Sequence, residues 1–204
     1  PVLVEVPERA IVSDNDEAPR HILIEGDNLE ALTALSYTHS ETIDIIYIDP
    51  PYNTGNKDFV YNDSFVDKED GYRHSKWLSF MNKRLKIAKN LLSEKGVIFI
   101  SCDDNEQAPL KMLCDEIFGA SCFVADISWQ RTYSMRNDSK GIPTEVEHIL
   151  VYSRNQMWEP NRLPRTKEMD QNYKNPDNDP KGAWQNTSAF APAAATHQGM
   201  VYAI

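Results

Sequence analysis

The residues of this chain best suited to chemistry are the tetrapeptide Asp49-Pro50-Pro51-Tyr52, called here the 49–52 motif. It directly follows the apolar run 43–48, whose length and composition predict a buried strand. Ligands of open α/β sheets bind beyond the carboxyl ends of strands, which is where the motif falls. The Asp49 carboxylate and the Pro50 carbonyl are two acceptors at that place, and consecutive prolines fix the backbone that carries them.

Two fixed acceptors suit the exocyclic amine of a nucleobase. The lone pair of such an amine is delocalised into the ring, so acceptors aimed at its two N–H bonds favour a tetrahedral nitrogen whose lone pair is free. Tyr52 offers a flat face for an extruded base, and such stacking is worth roughly 1–3 kcal/mol. The alternative is an ordinary Pro-Pro turn with a solvated acid. The strand, the motif and Asn53 together favour the catalytic interpretation.

The motif and its flanks resemble a known family. The 49–52 motif is similar to the catalytic motif of amino-directed DNA methyltransferases, and residues 46–56 resemble the modification (Mod) subunit of type III restriction-modification systems. Other segments resemble the same family in the same order along the chain, namely residues 26–32, 77–85, 96–106, 147–152 and 175–182.

The resemblance implies direct methyl transfer from S-adenosylmethionine to N6 of an adenine that is flipped out of double-stranded DNA. Asp49 and Pro50 would orient the amine, Pro51 would shape the loop, and Tyr52 would stack on the base. Cytosine-N4 methylation is an alternative, but family members with that activity more often carry serine in place of Asp49. RNA or protein-amide methylation is disfavoured, because those relatives usually carry asparagine at that position.

Further residues are candidates for binding. The resemblance places Asp27, together with Asp49, at the cofactor, although residues 26–28 also suit a turn and a helix cap. Asn53 is expected at the DNA. Basic and aromatic residues after a late strand suit phosphate contact and base stacking, with an exposed hairpin tip as the alternative. These are Arg131, Tyr133, Arg136 and Lys140.

Other polar residues are interpreted as structural. Asp103 and Asp104 are expected to form a turn that caps a helix, and His148 is expected to be a hydrogen-bonded core histidine. No metal site is predicted, because the five histidines and three cysteines lack ligand spacing. Scattered thiols indicate a reducing cytoplasm.

Composition limits the remaining possibilities. No apolar stretch of the 204 residues approaches the roughly 20 needed to cross a bilayer, and no secretory signal is evident. A net charge of −10 argues against tight DNA binding by this chain alone, since a surface that binds duplex DNA is normally basic. DNA binding is compatible with the negative net charge if the protein has a basic cleft on an acidic body, or if the DNA-binding part lies outside this chain.

The order of elements predicts an α/β, Rossmann-like methyltransferase fold, incomplete in this chain, with a largely parallel sheet and helices on both faces. Residues 1–20 are predicted to be an irregular lead-in, 21–153 the catalytic part, and 154–204 a loop-rich segment leading toward a recognition and cofactor half. Residues 57–70 are expected to form a long mobile loop. The predicted strands are 21–25, 43–48, 97–101, 122–129 and 147–153, the last two forming an antiparallel hairpin at one edge, and the predicted helices start at 28, 72 and 105.

The sequence contains no Gly-x-Gly. Methyltransferases of this fold normally bind the methionine end of the cofactor with a glycine-rich loop, which in the Mod family lies near the C-terminus. The chain is therefore interpreted as an N-terminal portion of a longer enzyme, inactive alone, whose complete form is a homodimer that partners a restriction (helicase and nuclease) subunit. A non-catalytic remnant that only binds DNA or protein is the alternative.

Overall fold

The computed structural model of the protein describes residues 1–11, 15, 17, 19–55, 58–61, 64–131 and 145–186. The chain divides into two compact units, Pro1–Trp158 and Glu159–Ile204. In the first unit the helices are α1 (Asn28–Thr38), α2 (Arg73–Leu91) and α3 (Gln107–Phe118). Its strands are β1 (Ile43–Ile48), β2 (Val60–Tyr61), β3 (Ser64–Phe65), β4 (Leu92–Cys102), β5 (Phe123–Gln130) and β6 (Val146–Ser153).

The main sheet has the strand order β1-β4-β6-β5. β1 and β4 are parallel, with Ile46 opposite Ile98, whereas β6 is antiparallel to both β4 and β5. The expected antiparallel hairpin at one edge is thus present. The prediction of a largely parallel sheet is wrong for the described strands, because the hairpin inserts β6, the strand running opposite to β4, between β4 and β5.

Helices α2 and α3 pack on one face of this sheet. Their buried side chains, including Trp77, Met81 and Leu110, form one core with Ile98 and Tyr152 of the central strands. Alternate residues of a strand point to opposite faces.

On the other face of the sheet, Ile45 is 66% exposed and Tyr47 is 61% exposed. Ile127 and Trp129 of β5 are also exposed. Because no described helix covers these side chains, the prediction of helices on both faces is not met in the described part of the chain.

Two local predictions before β1 also need correction. Residues 21–25 form no strand in the structure, and Ile22 and Leu23 are largely exposed, since an apolar run without a partner strand has no ladder to join. α1 begins at Asn28 as expected, but its N-cap is Asp27 and not Asn28. Asp27 Oδ1 accepts hydrogen bonds from the backbone N–H groups of Leu29 at 2.9 Å and Glu30 at 3.2 Å.

The segment expected to be a mobile loop is anchored in its described residues. β2 and β3 pair as a short antiparallel hairpin, and the flanking Phe59 and Val66 are buried in the core. The Phe59 ring packs edge-on against Phe80 of α2, with centroids 5.3 Å apart. Two isolated apolar residues that return to the core give no periodic pattern, so the sequence does not reveal the anchor.

The second unit has little regular structure in its described residues. A short helix, α4 (Lys167–Asp170), is capped by Thr166, and Lys174 and Trp184 form an antiparallel bridge. In neither unit is a described helix long and apolar enough to cross a membrane. The proposed boundaries at residues 20 and 153 stay predictions.

Candidate active site at the carboxyl end of β1

The 49–52 motif begins where β1 ends, and its first residue is open to solvent. Asp49 is exposed, while Pro50, Pro51 and Tyr52 are half-buried. The fully buried Trp77 of α2 donates a 2.6 Å hydrogen bond from its indole Nε1 to the Pro51 carbonyl oxygen. A buried indole N–H needs a partner, and this one finds it in the motif, so the core fixes the third residue of the loop.

The Tyr52 hydroxyl lies between two carboxylates. It donates a hydrogen bond to Glu147 Oε2 of β6 at 3.5 Å, and it lies close enough to Asp49 for that carboxylate to affect its pKa. Burial and then the charges of Asp49 and Glu147 hold the pKa of Tyr52 well above its ordinary value, against a smaller opposing effect from a hydrogen bond with Ser101. Tyr52 is therefore protonated at every physiological pH, and its hydroxyl is a donor to the carboxylates.

Asn53 follows the motif in a left-handed backbone conformation, with φ at 57°. Its side chain is fully buried. Nδ2 donates to Glu106 Oε1 at 2.5 Å and to the carbonyl oxygen of Arg73 at 3.2 Å. Asn53 is expected at the DNA, but its amide is enclosed in the structure, so a DNA contact would require this side chain to leave its buried position, and the role stays a prediction.

Glu106, directly before α3, is the centre of this buried contact. Besides Asn53, its Oε1 accepts from Nδ1 of His74 at 2.7 Å. Burial raises the pKa of Glu106, and this effect outweighs the lowering by its hydrogen bonds with Asn53 and His74 and by the nearby charge of Arg73. Within the described residues, Glu106 Oε2 and Asn53 Oδ1 have no hydrogen-bond partner.

The loop then turns sharply at Gly55, where φ is 81°. A Cβ atom at Gly55 would lie 2.6 Å from Cβ and 2.7 Å from Cα of Lys68, which no side chain tolerates. The Thr54 N–H donates to Asp58 Oδ2 at 2.8 Å. Only glycine therefore allows this turn to lie so close to residue 68.

Arg131 is the one member of the predicted basic and aromatic cluster that the structure describes. Its Nε lies 3.3 Å from Glu147 Oε1, the same carboxylate that contacts Tyr52. Glu147 thus links the base-stacking candidate to a phosphate-binding candidate. The other three members of the cluster, Tyr133, Arg136 and Lys140, lie outside the described residues.

Asp103 and Asp104 lie in the expected turn but do not cap the helix, because α3 begins at Gln107 and its N-cap, Glu106, makes no side-chain cap hydrogen bond. Asp103 Oδ1 accepts from the Asn105 N–H at 2.9 Å in the turn before α3.

His148 bonds to Asp126 at 3.0 Å and to Asp104 at 3.2 Å, and its side chain is about one-fifth exposed, so it lies at the surface of the sheet. Partial burial lowers the pKa of His148, but the two carboxylates outweigh it, and the pKa lies above its ordinary value.

Asp27, the other predicted cofactor residue, has its carboxylate oxygen Oδ1 engaged in capping α1. The turn-and-cap interpretation of residues 26–28 is confirmed, and a cofactor contact stays a prediction. A cleft of about 360 Å³ lies at the opposite end of the main sheet, where Glu41 precedes β1 and Arg154 follows β6. It shares no residue with the motif, so we place the candidate chemistry at the carboxyl end of β1 on the strength of the side chains there.

Residues 43–198 match the model of a protein family described as DNA methylase, and the chain belongs to this family. Over its whole length it is 35% identical to the Mod subunit of the type III restriction-modification enzyme StyLTI from Salmonella typhimurium, of which it covers 34%. Over 70% of its length it is 39% identical to the EcoP15I Mod subunit from Escherichia coli, of which it covers 25%. The chain thus spans about a third or less of these relatives.

Among solved structures, the chain is similar to TTHA0409 from Thermus thermophilus in complex with S-adenosyl-L-methionine. The two are 19% identical with a TM-score of 0.46, and the match covers 72% of this chain and 59% of TTHA0409.

Three residues around the motif are absent from the sequence-based site. Trp77 lies in the segment 77–85 that resembles the family and in a predicted helix, but no contact with the motif is predicted for it, although a tryptophan in a core needs a hydrogen-bond partner. Glu147 lies 95 residues from Tyr52, which it contacts, and Glu106 lies 53 residues from Asn53. Both look like ordinary surface acids in the sequence.

Proposed function

We propose that this chain carries the catalytic loop of a site-specific DNA methyltransferase of the type III Mod kind, which methylates adenine at N6. The proposal rests on which oxygen atoms of the loop already accept a hydrogen bond within the protein and which do not. Trp77 occupies the Pro51 carbonyl, while Asp49 is exposed and the Pro50 carbonyl accepts no hydrogen bond from any described residue. Two adjacent acceptors therefore remain for the two N–H bonds of an amine.

The surroundings of the motif also suit the cofactor that the family implies. The exposed Asp49 carboxylate and the half-buried ring of Tyr52 both stabilise positive charge, which fits the sulfonium of S-adenosylmethionine. When bound, S-adenosylmethionine supplies an electrophilic methyl group. We assign Asp49 and Asp27 to the cofactor side of the site, as the family resemblance implies.

The chain's own residues would act on the amine. Asp49 and the Pro50 carbonyl oxygen each accept one N–H hydrogen of the flipped base, so the nitrogen becomes tetrahedral and its lone pair points away from both acceptors. Tyr52 holds the ring plane by stacking. Once the nitrogen carries the new methyl group and a positive charge, the Asp49 carboxylate is placed to take its proton.

DNA would approach from the side of β6. Arg131 exchanges its partner Glu147 for a phosphate, and Tyr133, Arg136 and Lys140 extend that contact. The complete enzyme would work as a homodimer with a restriction subunit. The three cysteines are all free thiols, which suits action in the cytoplasm.

The test is Asp49→Ala in a Mod-length protein that carries this chain, with labelled S-adenosylmethionine and identification of the methylated nucleoside. We expect loss of methyl transfer by about 100-fold or more with DNA binding retained, because an oriented acceptor acts in the transition state. Asp44→Asn is the control, since Asp44 lies on the same strand and asparagine still accepts from Ser93 Oγ.

Each other outcome has a distinct meaning. Wild-type turnover in Asp49→Ala would overturn the assignment of the loop. Methylation of cytosine N4 would replace adenine as the substrate. A wild-type protein that binds DNA but neither binds S-adenosylmethionine nor methylates would be the non-catalytic remnant.

A further inference from the structure

A polar cluster adjoins the 49–52 motif. It consists of Asn53 from the loop, His74 from the start of α2 and Glu106 from the residue before α3, and the His74 side chain, which is 48% exposed, forms its solvent side. Asn53 and Glu106 are fully buried. Removing a carboxylate from water costs free energy unless hydrogen bonds compensate. The hydrogen bonds that Glu106 accepts offset part of this cost.

The Asn53 amide joins the loop to two helices at once. Both of its N–H donors are used, one by Glu106 Oε1 and one by the Arg73 carbonyl oxygen. Its left-handed backbone conformation is uncommon for residues with a side chain, although asparagine adopts it more readily than most, and the two bonds of its amide help to fix it. The Trp77–Pro51 bond and the Asn53 amide therefore anchor the chain on both sides of Tyr52.

We propose that Glu106 is a positioning residue for the 49–52 motif, acting through the side-chain amide of Asn53. Asn53 Nδ2 and His74 Nδ1 both donate hydrogen bonds to the same oxygen of its carboxylate, Oε1. The effect on methyl transfer rests on the proposed function, whereas the tether itself is a property of this chain and is testable without any reaction.

Three groups that face Glu106 favour a carboxylate. Asn53 and His74 present donors and Arg73 adds a positive charge, whereas burial acts against them and raises the pKa of Glu106. Glutamine keeps an acceptor oxygen for both donors and loses only the charge. Alanine removes the acceptor and leaves the Asn53 amide with one unpaired buried N–H.

Losing the tether would move the reacting groups. Without Glu106, Asn53 is free to leave the left-handed region, and Tyr52 and the Pro50 carbonyl move with it. Misplacing a catalytic group by about 1 Å can cost on the order of 100-fold in rate. Since the substrate still reaches the exposed face of the loop, the loss should appear in kcat more than in KM.

The first experiment measures the tether in residues 1–204 by NMR. The readouts are the exchange rate of the Thr54 amide, which is bonded to Asp58, and the shifts of the Asn53 side-chain amide. The variants are Glu106→Ala, Glu106→Gln and Asn53→Gly, with Glu116→Gln at an exposed position of α3 as control. Asn53→Gly keeps the positive φ at no steric cost and deletes the side chain with both of its hydrogen bonds.

We expect Thr54 exchange about 10-fold faster or more in Glu106→Ala and Asn53→Gly. Glu106→Gln should stay within about threefold of wild type, with a changed Asn53 amide shift. If Glu106→Ala does not fold, Asn53→Gly still tests the tether, because it removes the bond to Glu106 together with the bond to the Arg73 carbonyl oxygen. Unchanged Thr54 exchange in Asn53→Gly overturns the proposal.

The second experiment measures kcat and KM for methylation in a Mod-length protein that carries this chain. We expect kcat to fall about 10-fold or more in Glu106→Ala, with rescue in Glu106→Gln and no further loss when Asn53→Gly is combined with Glu106→Ala. Additive losses, or failure of glutamine to rescue, overturn the role of Glu106. If the wild type does not methylate, the proposed function fails, and the exchange experiment still decides whether the tether exists.

Discussion

The indole of Trp77 and the carbonyl of Pro51 are joined by a hydrogen bond of 2.6 Å, which connects the centre of the core to the candidate catalytic loop. Trp77 is fully buried and Pro51 is half-buried, so water does not replace the bond cheaply. In the proposed function the adjacent Pro50 carbonyl accepts a hydrogen bond from the substrate, so Trp77 would link the stability of the fold to the position of that acceptor.

Trp77→Phe should destabilise the first unit by about 1–3 kcal/mol or more, because the Pro51 carbonyl loses its donor and the smaller ring leaves a void. Urea unfolding of the chain measures the effect. Trp129→Phe is the matched control, because Trp129 is exposed on β5. Equal midpoints for the two variants would show that the indole bond contributes nothing to the fold.

Tyr52→Ala should weaken capture of the flipped base more than Tyr52→Trp does, because stacking needs a flat ring and not the hydroxyl. Tyr52→Phe separates the two parts of the side chain, since it keeps the ring and loses the hydroxyl with its contacts to Glu147, Asp49 and Ser101. A fluorescent base analogue at the target position of the DNA reports flipping. Identical signals from Tyr52→Ala and Tyr52→Trp would exclude this residue as the stacking platform.

The sequence predicts the four strands of the main sheet, and it predicts the starts of α1, α2 and α3 to within two residues, because apolar runs and amphipathic patterns mark them. It also predicts a strand at 21–25 that the structure lacks, and it misses β2 and β3. It does not predict the direction of β6, since an apolar strand buried in a sheet has the same pattern whether its neighbour is parallel or antiparallel. The pairing of β6 with both β4 and β5 is determined by tertiary packing and not by the local sequence.

The candidate site also combines residues that the sequence indicates with residues that it does not. Asp49 and Tyr52 stand out by residue type and local context, whereas Glu106 lies in a polar run that looks solvated. Only the packing of α3 against α2 brings its carboxylate to Asn53. Long-range partners of this kind leave no local signal in a single sequence.

Stability should fall in alkaline solution because the core holds two thiols neutral. Burial, followed by the charges of Asp126 and neighbouring acids, raises the pKa of Cys102 from 9.0 to about 12, and burial raises the pKa of Cys114 as well. In the unfolded chain these thiols ionise first. Their contribution to stability is complete below about pH 9 and is lost as pH rises through the folded pKa.

Urea unfolding at successive pH values from 8 to about 11 measures this loss, with a slope of at most about 1.4 kcal/mol per pH unit for each thiol. Cys102→Val is the matched variant, because valine suits a buried strand and does not titrate. Its stability should fall less steeply than that of the wild type above pH 9. Parallel curves for the two proteins would contradict the role of Cys102.

Residues 1–204 alone should bind S-adenosylmethionine weakly or not at all, and should show no methyl transfer. Asp27 and Asp49 can touch part of the cofactor, but its charged amino-acid end needs backbone N–H groups from a glycine-rich turn, and the sequence has no Gly-x-Gly. Each missing charge-assisted hydrogen bond forfeits roughly 1.5–3 kcal/mol. Calorimetry compares this chain with a Mod-length protein that carries it. Micromolar binding by residues 1–204 would show that the cofactor site is complete within them, and that Asp27 and the loop after β1 hold more of the cofactor than we expect.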